Sequence, residues 1–137
     1  MNSISPVNYW AVLVAGGVYF LLGALWYSKS LFGKIWMHGI GKTEEQLKAA
    51  FSAWKIIWAF VASLIAAYGI ARILSWTSEV SLTGGFIVGF LAAVCFIFVP
   101  MSINDTMENR PSKLSTINIL YHVIGFLLMG IIIGAWR

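Results

Sequence analysis

Four long stretches of the chain are almost entirely apolar, and shorter polar segments separate them. The stretches cover residues 8–27, 54–76, 82–103 and 114–136. The first and third contain no charged residue, and the second carries Lys55 and Arg72 only near its ends. Since the hydrocarbon core of a bilayer is about 30 Å thick, a helix needs about 20 consecutive apolar residues to cross it. The pattern therefore predicts four transmembrane helices.

Composition supports the same all-α, polytopic membrane class. Of the 137 residues, 60% are hydrophobic and 10% are charged, which is far from the usage of soluble domains. No segment resembles a linker, so we expect a single four-helix domain over residues 1–137, with the lipid bilayer as its first partner. The net charge of +4 is spread over loops without a run of Lys or Arg, so nucleic acid is not an expected partner.

Basic residues are concentrated on one side of the predicted membrane. The loops after the first and third spans together carry seven of the nine: Lys29, Lys34, Lys42, Lys48, Lys55, Arg110 and Lys113. Arg72 and Arg137 fall on the other side. Because cytoplasmic loops collect the Lys and Arg excess, we expect these two loops in the cytoplasm. Both termini would then lie outside the cell (inner) membrane.

The tryptophans fit this topology. Tryptophan rings prefer the headgroup level of a membrane. The topology places Trp10, Trp76 and Trp136 at the outer interface, and Trp26, Trp36, Trp54 and Trp58 at the inner one.

The first cytoplasmic loop has helical patterns of its own. Apolar residues recur at three-to-four spacing between Leu31 and Ile40, which predicts a short helix on the membrane surface. Thr43 with Gln46 three residues later forms a capping box, so a second helix should start there. No proline or glycine follows until the middle of the second span, so we expect this helix to run unbroken into that span.

Short motifs at both ends of the chain resemble a known family. They are residues 8–12 (NYWAV), 23–28 (GALWYS), 31–36 (LFGKIW), 109–114 (NRPSKL), 117–118 (IN), 121–122 (YH), 129–130 (MG) and 134–136 (GAW). Together they resemble the small bacterial membrane proteins of the domain of unknown function 1761 family, over essentially the whole chain. The resemblance implies a four-helix membrane fold and no particular activity.

Polar side chains inside the fourth span are the first candidates for a functional site. Asn118 and His122 are four residues apart, and Gly125 and Met129 continue the same stripe, which should face protein. One interpretation is a ligand or proton site at His122, oriented by Asn118 or a loop carboxylate. The simpler one, which we favour, is hydrogen bonding between helices. In either case, we expect a ring nitrogen of His122 to bond to another helix.

A second polar cluster follows the third span. Asn104, Asp105 and Glu108 could take part in a proton or ligand site, but the two carboxylates are more simply interpreted as solvated loop charges that balance Arg110. Pro100 just before them is expected to kink the helix.

Small residues at four-residue spacing form rows that let helices approach closely in lipid. They are Ala59, Ser63 and Ala67 on the second span, Gly85 and Gly89 on the third, and Gly130 and Gly134 on the fourth. A small bundle needs fewer such rows for its own packing, so the surplus favours contact with another copy or another protein. Denser packing within the chain is the alternative.

The favoured function is therefore non-catalytic assembly, as a homo-oligomer or as a subunit of a larger membrane complex. A small oligomeric transporter lined by Asn118 and His122 is one alternative, and a membrane enzyme using His122 is another. The sequence has no nucleophile elbow, phosphate loop or zinc-binding His pair, so an enzyme is not favoured. Cys95 stands alone, and we expect no metal and no cofactor.

Overall fold

A computed structural model describes residues 5–77 and 80–136, and within these ranges the chain forms helices and no strands. The elements are α1 (Tyr9–Trp26), α2 (Gly33–Ile40), α3 (Glu44–Ala49), α4 (Ala53–Trp76), α5 (Leu82–Ala93), a π-helical segment (Val94–Phe98), α6 (Val99–Met107) and α7 (Ser112–Ala135). The predicted all-α class is confirmed.

Four helical segments are long and apolar enough to cross a membrane: Tyr9–Trp26, Ala53–Trp76, Leu82–Met107 and Ser112–Ala135. They correspond to the four predicted spans, and the third extends to Met107 because α5, the π-helical segment and α6 are continuous. Large apolar side chains on α4 and α5, such as Ile57, Ile65, Phe86 and Phe90, are exposed. Such a surface is stable in hydrocarbon and not in water, so the protein is a polytopic membrane protein.

The fourth span is central to the bundle. Helix α7 contacts α5 most extensively, then α1, and also α4. The core between α1, α4 and α7 contains Ala11, Ala15, Tyr19, Ala67, Ile70, Leu74, Met129 and Ile133.

The predicted glycine rows meet each other inside the chain. A Cβ on Gly85 would collide with the backbone of Gly130, and one on Gly134 would collide with the backbone of Ser81. A Cβ on Gly89 would likewise collide with the carbonyl of Phe126. Helices α5 and α7 therefore touch backbone to backbone, which requires residues without side chains. The glycine rows of α5 and α7 therefore serve packing within the chain, which was the alternative to contact with another copy. They are not free surfaces for a second copy.

The row on the second span is only partly buried. Ser63 is 4% exposed and Ala67 is fully buried, on the face of α4 that packs against α1. Ala59 is exposed, so it is not part of the buried core of this chain, and its role in oligomer or helix packing stays a prediction. The first turns of α4 lie at the edge of the bundle: residues 51–60 are all exposed, although the ring of Phe60 contacts that of Phe20 on α1 with centroids 5.5 Å apart.

The first loop contains the short helix and the capping box that the sequence predicts. Helix α2 ends at Gly41, whose φ of 68° is the left-handed C-cap conformation that favours glycine. The Thr43 side chain accepts from the Gln46 N–H, and the Gln46 side chain accepts from the Thr43 N–H. Gly39 of α2 contacts Leu114 at the start of α7. The end of the bundle where α2, α3 and the α6–α7 connection lie is called the lysine-rich end below.

The predicted continuity from α3 into the second span is wrong. Helix α3 ends at Ala49, and Ser52 is extended at φ −142° and ψ 148° before α4 begins. Serine favours a non-helical backbone at a helix start, so the chain can turn there without proline or glycine. An ion pair of 2.5 Å between Lys29 and Glu44 holds α3 near the end of α1.

The third span is irregular just ahead of Pro100. In a regular helix the proline ring would collide with the carbonyl four residues earlier. The wider π-helical turns avoid this, and the N–H of Val99 donates to the carbonyl of Val94 five residues back. The kink predicted at Pro100 itself stays a prediction.

Candidate functional site

Polar side chains of the first and fourth spans meet in a tyrosine–histidine cluster formed by Tyr19, Tyr27, Asn118, Tyr121 and His122. The Tyr19 hydroxyl and Nδ1 of His122 share a hydrogen bond. The Tyr121 hydroxyl donates to the carbonyl of Tyr19 over 3.1 Å. The Tyr27 hydroxyl donates to Oδ1 of Asn118 over 2.9 Å. The cluster thus joins α1 to the first half of α7 through mutually bonded side chains.

Two glycines make room for these rings. A Cβ on Gly125 would collide with the ring of Tyr19, and one on Gly23 would press on the hydroxyl of Tyr121. The rings of Tyr19 and Tyr121 are stacked with centroids 5.0 Å apart. Aromatic pairs at this separation stabilise a contact beyond the area that they bury.

The expectation for His122 is confirmed in its main point, because Nδ1 bonds to another helix. Its partner differs from the one expected. Asn118 bonds to Tyr27, so it does not orient His122. Tyr19 was missed, although its spacing was a usable signal: Ala11, Ala15 and Tyr19 recur every four residues and form the buried stripe of α1.

Trp26 is a further correction. It was expected at the membrane interface, but it is 9% exposed, and its Nε1 donates to the carbonyl of Ile117 over 3.0 Å. It therefore packs between α1 and α7 at the lysine-rich end. Trp10, Trp54, Trp58, Trp76 and Trp136 are exposed, as interfacial rings should be.

A groove of about 750 Å³ lies on another side of α7, between it and the third span; we call it the polar groove. Its polarity changes along the helices. Near the lysine-rich end it is lined by Ser102, Asp105, Thr106, Arg110, Ser115 and Thr116. Deeper in the span it is lined by Val94, Phe98, Ile119, Leu120 and Val123. The groove is therefore amphipathic.

Asp105 is the buried charge of this groove. It is 8% exposed, the Ser115 hydroxyl donates to its Oδ2, and Nε of Arg110 lies 3.3 Å from its Oδ1. Arg110 also donates to Glu108 over 2.7 Å. The interpretation of Asp105 as a solvated charge is wrong, because the turn at Asn109, with φ 54°, brings α6 back against α7. Glu108 is exposed as expected.

The structure does not bring the four predicted site residues together. Asn118 and His122 face α1, whereas Asp105 faces Ser115 across the groove, and Asn104 is exposed. Within residues 5–77 and 80–136, no group of three His, Cys, Asp or Glu side chains is placed to hold a metal ion.

A second recess of about 660 Å³ lies at the opposite end of the bundle. Ser75, Ser81 and Asn8 are among its polar lining residues, and the Asn8 amide donates to the carbonyl of Trp136 over 3.4 Å. Within residues 5–77 and 80–136, its lining residues carry no charge.

Within the described residues, four apolar spans, of which α7 is the central one, define a small helical-bundle membrane protein. The chain belongs to the family described as "Protein of unknown function (DUF1761)", whose family model matches residues 10–134. The resemblance seen in the sequence is thereby confirmed. Among curated proteins and solved structures, no match to the chain was found.

Proposed function

We propose that this membrane protein binds a small amphiphilic molecule in the polar groove. The observation that carries the proposal is the position of Asp105: its buried carboxylate lies at one end of a groove whose other end is apolar. A ligand with a polar head and an apolar tail matches this gradient. Along α7 the groove extends over twelve residues, from Ser112 to Val123, or about 16 Å at the helical rise.

The size and setting of the groove support the proposal. Its volume of about 750 Å³ falls within the range of small-molecule sites. Ionisable side chains buried near a membrane are costly and often functional. The π-helical segment that contributes Val94 and Phe98 is also an irregularity found frequently at functional sites.

A binding measurement with a neutral probe tests the proposal. N-phenylnaphthylamine fluoresces in apolar surroundings, and the saturable part of its signal, above that of empty micelles, reports binding to the protein. Thr116 is exposed and lines the groove, so Thr116→Trp should fill the groove while leaving the fold intact. The matched control is Thr83→Trp, an exposed threonine near the start of α5.

We expect wild type and Thr83→Trp to bind the probe alike, and Thr116→Trp to bind it about tenfold more weakly or not at all, since the indole excludes the ligand. No saturable binding by wild type, or equal binding by both variants, would contradict the proposal.

Assembly with another copy or with a larger membrane complex is the second candidate function. The glycine rows no longer support it, because they are buried between α5 and α7. What supports it is the start of α4, where every residue from Ala53 to Phe60 is exposed. Lipid chains can also cover this apolar surface, so we favour the groove.

Disulfide cross-linking in membranes tests assembly. On a Cys95→Ala background, Ala59→Cys should form a dimer under mild oxidation if α4 contacts a second copy. Ala24→Cys, an exposed alanine on α1, is the control and should not. Equal cross-linking of the two variants, or none, would count against a specific α4 interface.

The alternatives based on His122 have less support. Neither Asn118 nor His122 lines the polar groove or the recess at the opposite end. His122 bonds to Tyr19 on α1 and Asn118 to Tyr27 just after it, so a transport route or catalytic pocket at this position would have to disrupt the α1–α7 contact.

We also propose that the lysine-rich end is cytoplasmic, with both termini outside the cell (inner) membrane. The seven basic residues named for the two loops support this orientation. The polar groove would then open at the cytoplasmic leaflet.

A further inference from the structure

We infer that the polar groove selects single-chain amphiphiles with a primary ammonium headgroup, and that Asp105 is the side chain that binds this headgroup. The inference rests on the proposed function and adds the chemical class of the ligand. It follows from the charges at the polar end of the groove and from how they are paired.

The ion-pair network at the polar end has one positive charge for two negative ones: Asp105 and Arg110 line the groove, and Glu108 lies beside it. Arg110 pairs with both Asp105 and Glu108. Lys113, the next basic residue along the chain, is exposed and is not among the groove-lining residues. This three-residue network therefore carries one net negative charge, which attracts a cation more strongly beside a low-dielectric membrane than in water.

The geometry leaves room on the carboxylate of Asp105. An ionised carboxylate offers about four acceptor positions. Ser115 occupies one on Oδ2, and Arg110 makes a longer contact of 3.3 Å with Oδ1. An ammonium group entering from the groove can donate to the remaining positions, and such charge-assisted bonds are about twice as strong as neutral ones.

An anionic headgroup is disfavoured at the polar end of the groove. Its only cationic partner among the described groove-lining residues is Arg110, one terminal nitrogen of which already donates to Glu108 over 2.7 Å. An anion bound there would lie beside two carboxylates, which would repel it. The phosphate of an aminophospholipid would suffer the same repulsion. A free alkylamine is therefore favoured over a phospholipid headgroup that carries an amine.

Displacement of N-phenylnaphthylamine by three ligands of equal chain length tests the inference: decylamine, decanol and decanoate, below their micellar concentrations at neutral pH. For the wild-type protein, decylamine should displace the probe at about tenfold lower concentration than decanol, and decanoate should be the weakest. A short-chain phosphatidylethanolamine should compete less well than decylamine.

Variants locate the selectivity. Asp105→Asn should still bind the probe but lose the preference for decylamine over decanol, because the amide carries no charge. Arg110 keeps Glu108 as a partner in this variant. Asp105→Glu retains the charge and should retain part of the preference. Glu45→Gln, an exposed carboxylate on α3, is the control and should behave as wild type.

The outcomes separate the two proposals. Equal displacement by the three decyl compounds, with the probe still bound in a saturable manner, would overturn the headgroup assignment alone. A preference for decylamine that survives in Asp105→Asn would overturn the role of Asp105. Stronger competition by the phospholipid would overturn the free amine as ligand. Absence of saturable binding by every compound would overturn the groove as a binding site.

Discussion

The hydroxyl of Tyr19 on α1 is hydrogen-bonded to Nδ1 of His122 on α7, although 103 residues separate them in the sequence. This bond ties the first span to the last, and Tyr121 reinforces it from the next position on α7. An imidazole facing lipid would leave its hydrogen bonds unmade. The position of His122 in the bundle is explained by this partner without any catalytic role.

The Tyr19–His122 bond should be measurable as stability. Interhelical hydrogen bonds in membranes contribute roughly 0.6 to 2 kcal/mol, so Tyr19→Phe should lower the free energy of unfolding by about that amount. Tyr68→Phe, on an exposed face of α4, is the control and should change little. Unfolding of the purified protein by a denaturing detergent provides the measurement.

Substitutions of His122 test the same bond from the other side. His122→Gln should be tolerated better than His122→Leu, because glutamine keeps a donor and an acceptor whereas leucine leaves the Tyr19 hydroxyl without its partner. Thermal unfolding of the two variants is compared. Equal thermal stability of the Gln and Leu variants would show that the bond contributes nothing.

The contact between α5 and α7 should be sensitive to a single methyl group. Gly130→Ala would place a Cβ against the backbone of Gly85 and force the helices apart, so we expect a loss of about 2 kcal/mol or more, as for overpacked sites. Gly69→Ala, in the middle of α4, would meet no atom within 4 Å. It should be neutral or slightly stabilising, because alanine is the better helix former.

Detergent-induced unfolding of the two glycine variants, side by side, checks this. If Gly130→Ala is as stable as Gly69→Ala, α5 and α7 do not touch in the way that the structure describes.

The membrane orientation can be tested by labelling with an impermeant thiol reagent on a Cys95→Ala background. In intact cells we expect Pro6→Cys to be modified and Ser30→Cys to be protected until the membrane is opened. Both positions are exposed in the structure. The reverse pattern would place the lysine-rich end outside.

Acid should loosen α3. Hydrogen bonds from Lys29 and then Lys48 hold the pKa of Glu44 below its usual value. A carboxylate whose pKa is lowered by folding stabilises the folded state at pH values above its pKa in the unfolded chain, which is about 4.3. This stabilisation is lost as the pH falls through the pKa of the folded state. Hydrogen exchange of the α3 amides, corrected for intrinsic rates, should therefore accelerate on acidification from about pH 6 to pH 3.

The control for this prediction is Glu45→Gln, which changes the same charge in the same helical turn outside the two ion pairs. It should preserve the acid-induced change, whereas Glu44→Gln should abolish it. An identical pH profile in the two variants would remove Glu44 as the cause.

Some features of the loops were readable from sequence because they depend on neighbours along the chain. The capping box at Thr43 and Gln46 and the short helix ending at Gly41 are local in this sense. The break at Ser52 was not predicted, because a serine at that position is compatible with both a continuous helix and a turn. Contacts with other parts of the fold, such as the Lys29–Glu44 ion pair, influence whether the chain continues as a helix or turns at Ser52.

The sequence by itself determined the membrane class and the four spans, since the bilayer imposes a length and an apolarity that any spanning helix must meet. It also placed His122 on a protein-facing stripe, because helical periodicity is local. Only the tertiary structure decided that Tyr19 is its partner, that Gly85 meets Gly130, and that Asp105 is buried beside Ser115. Each of these depends on which helix faces which and at what register, and that choice arises from the packing of the whole bundle.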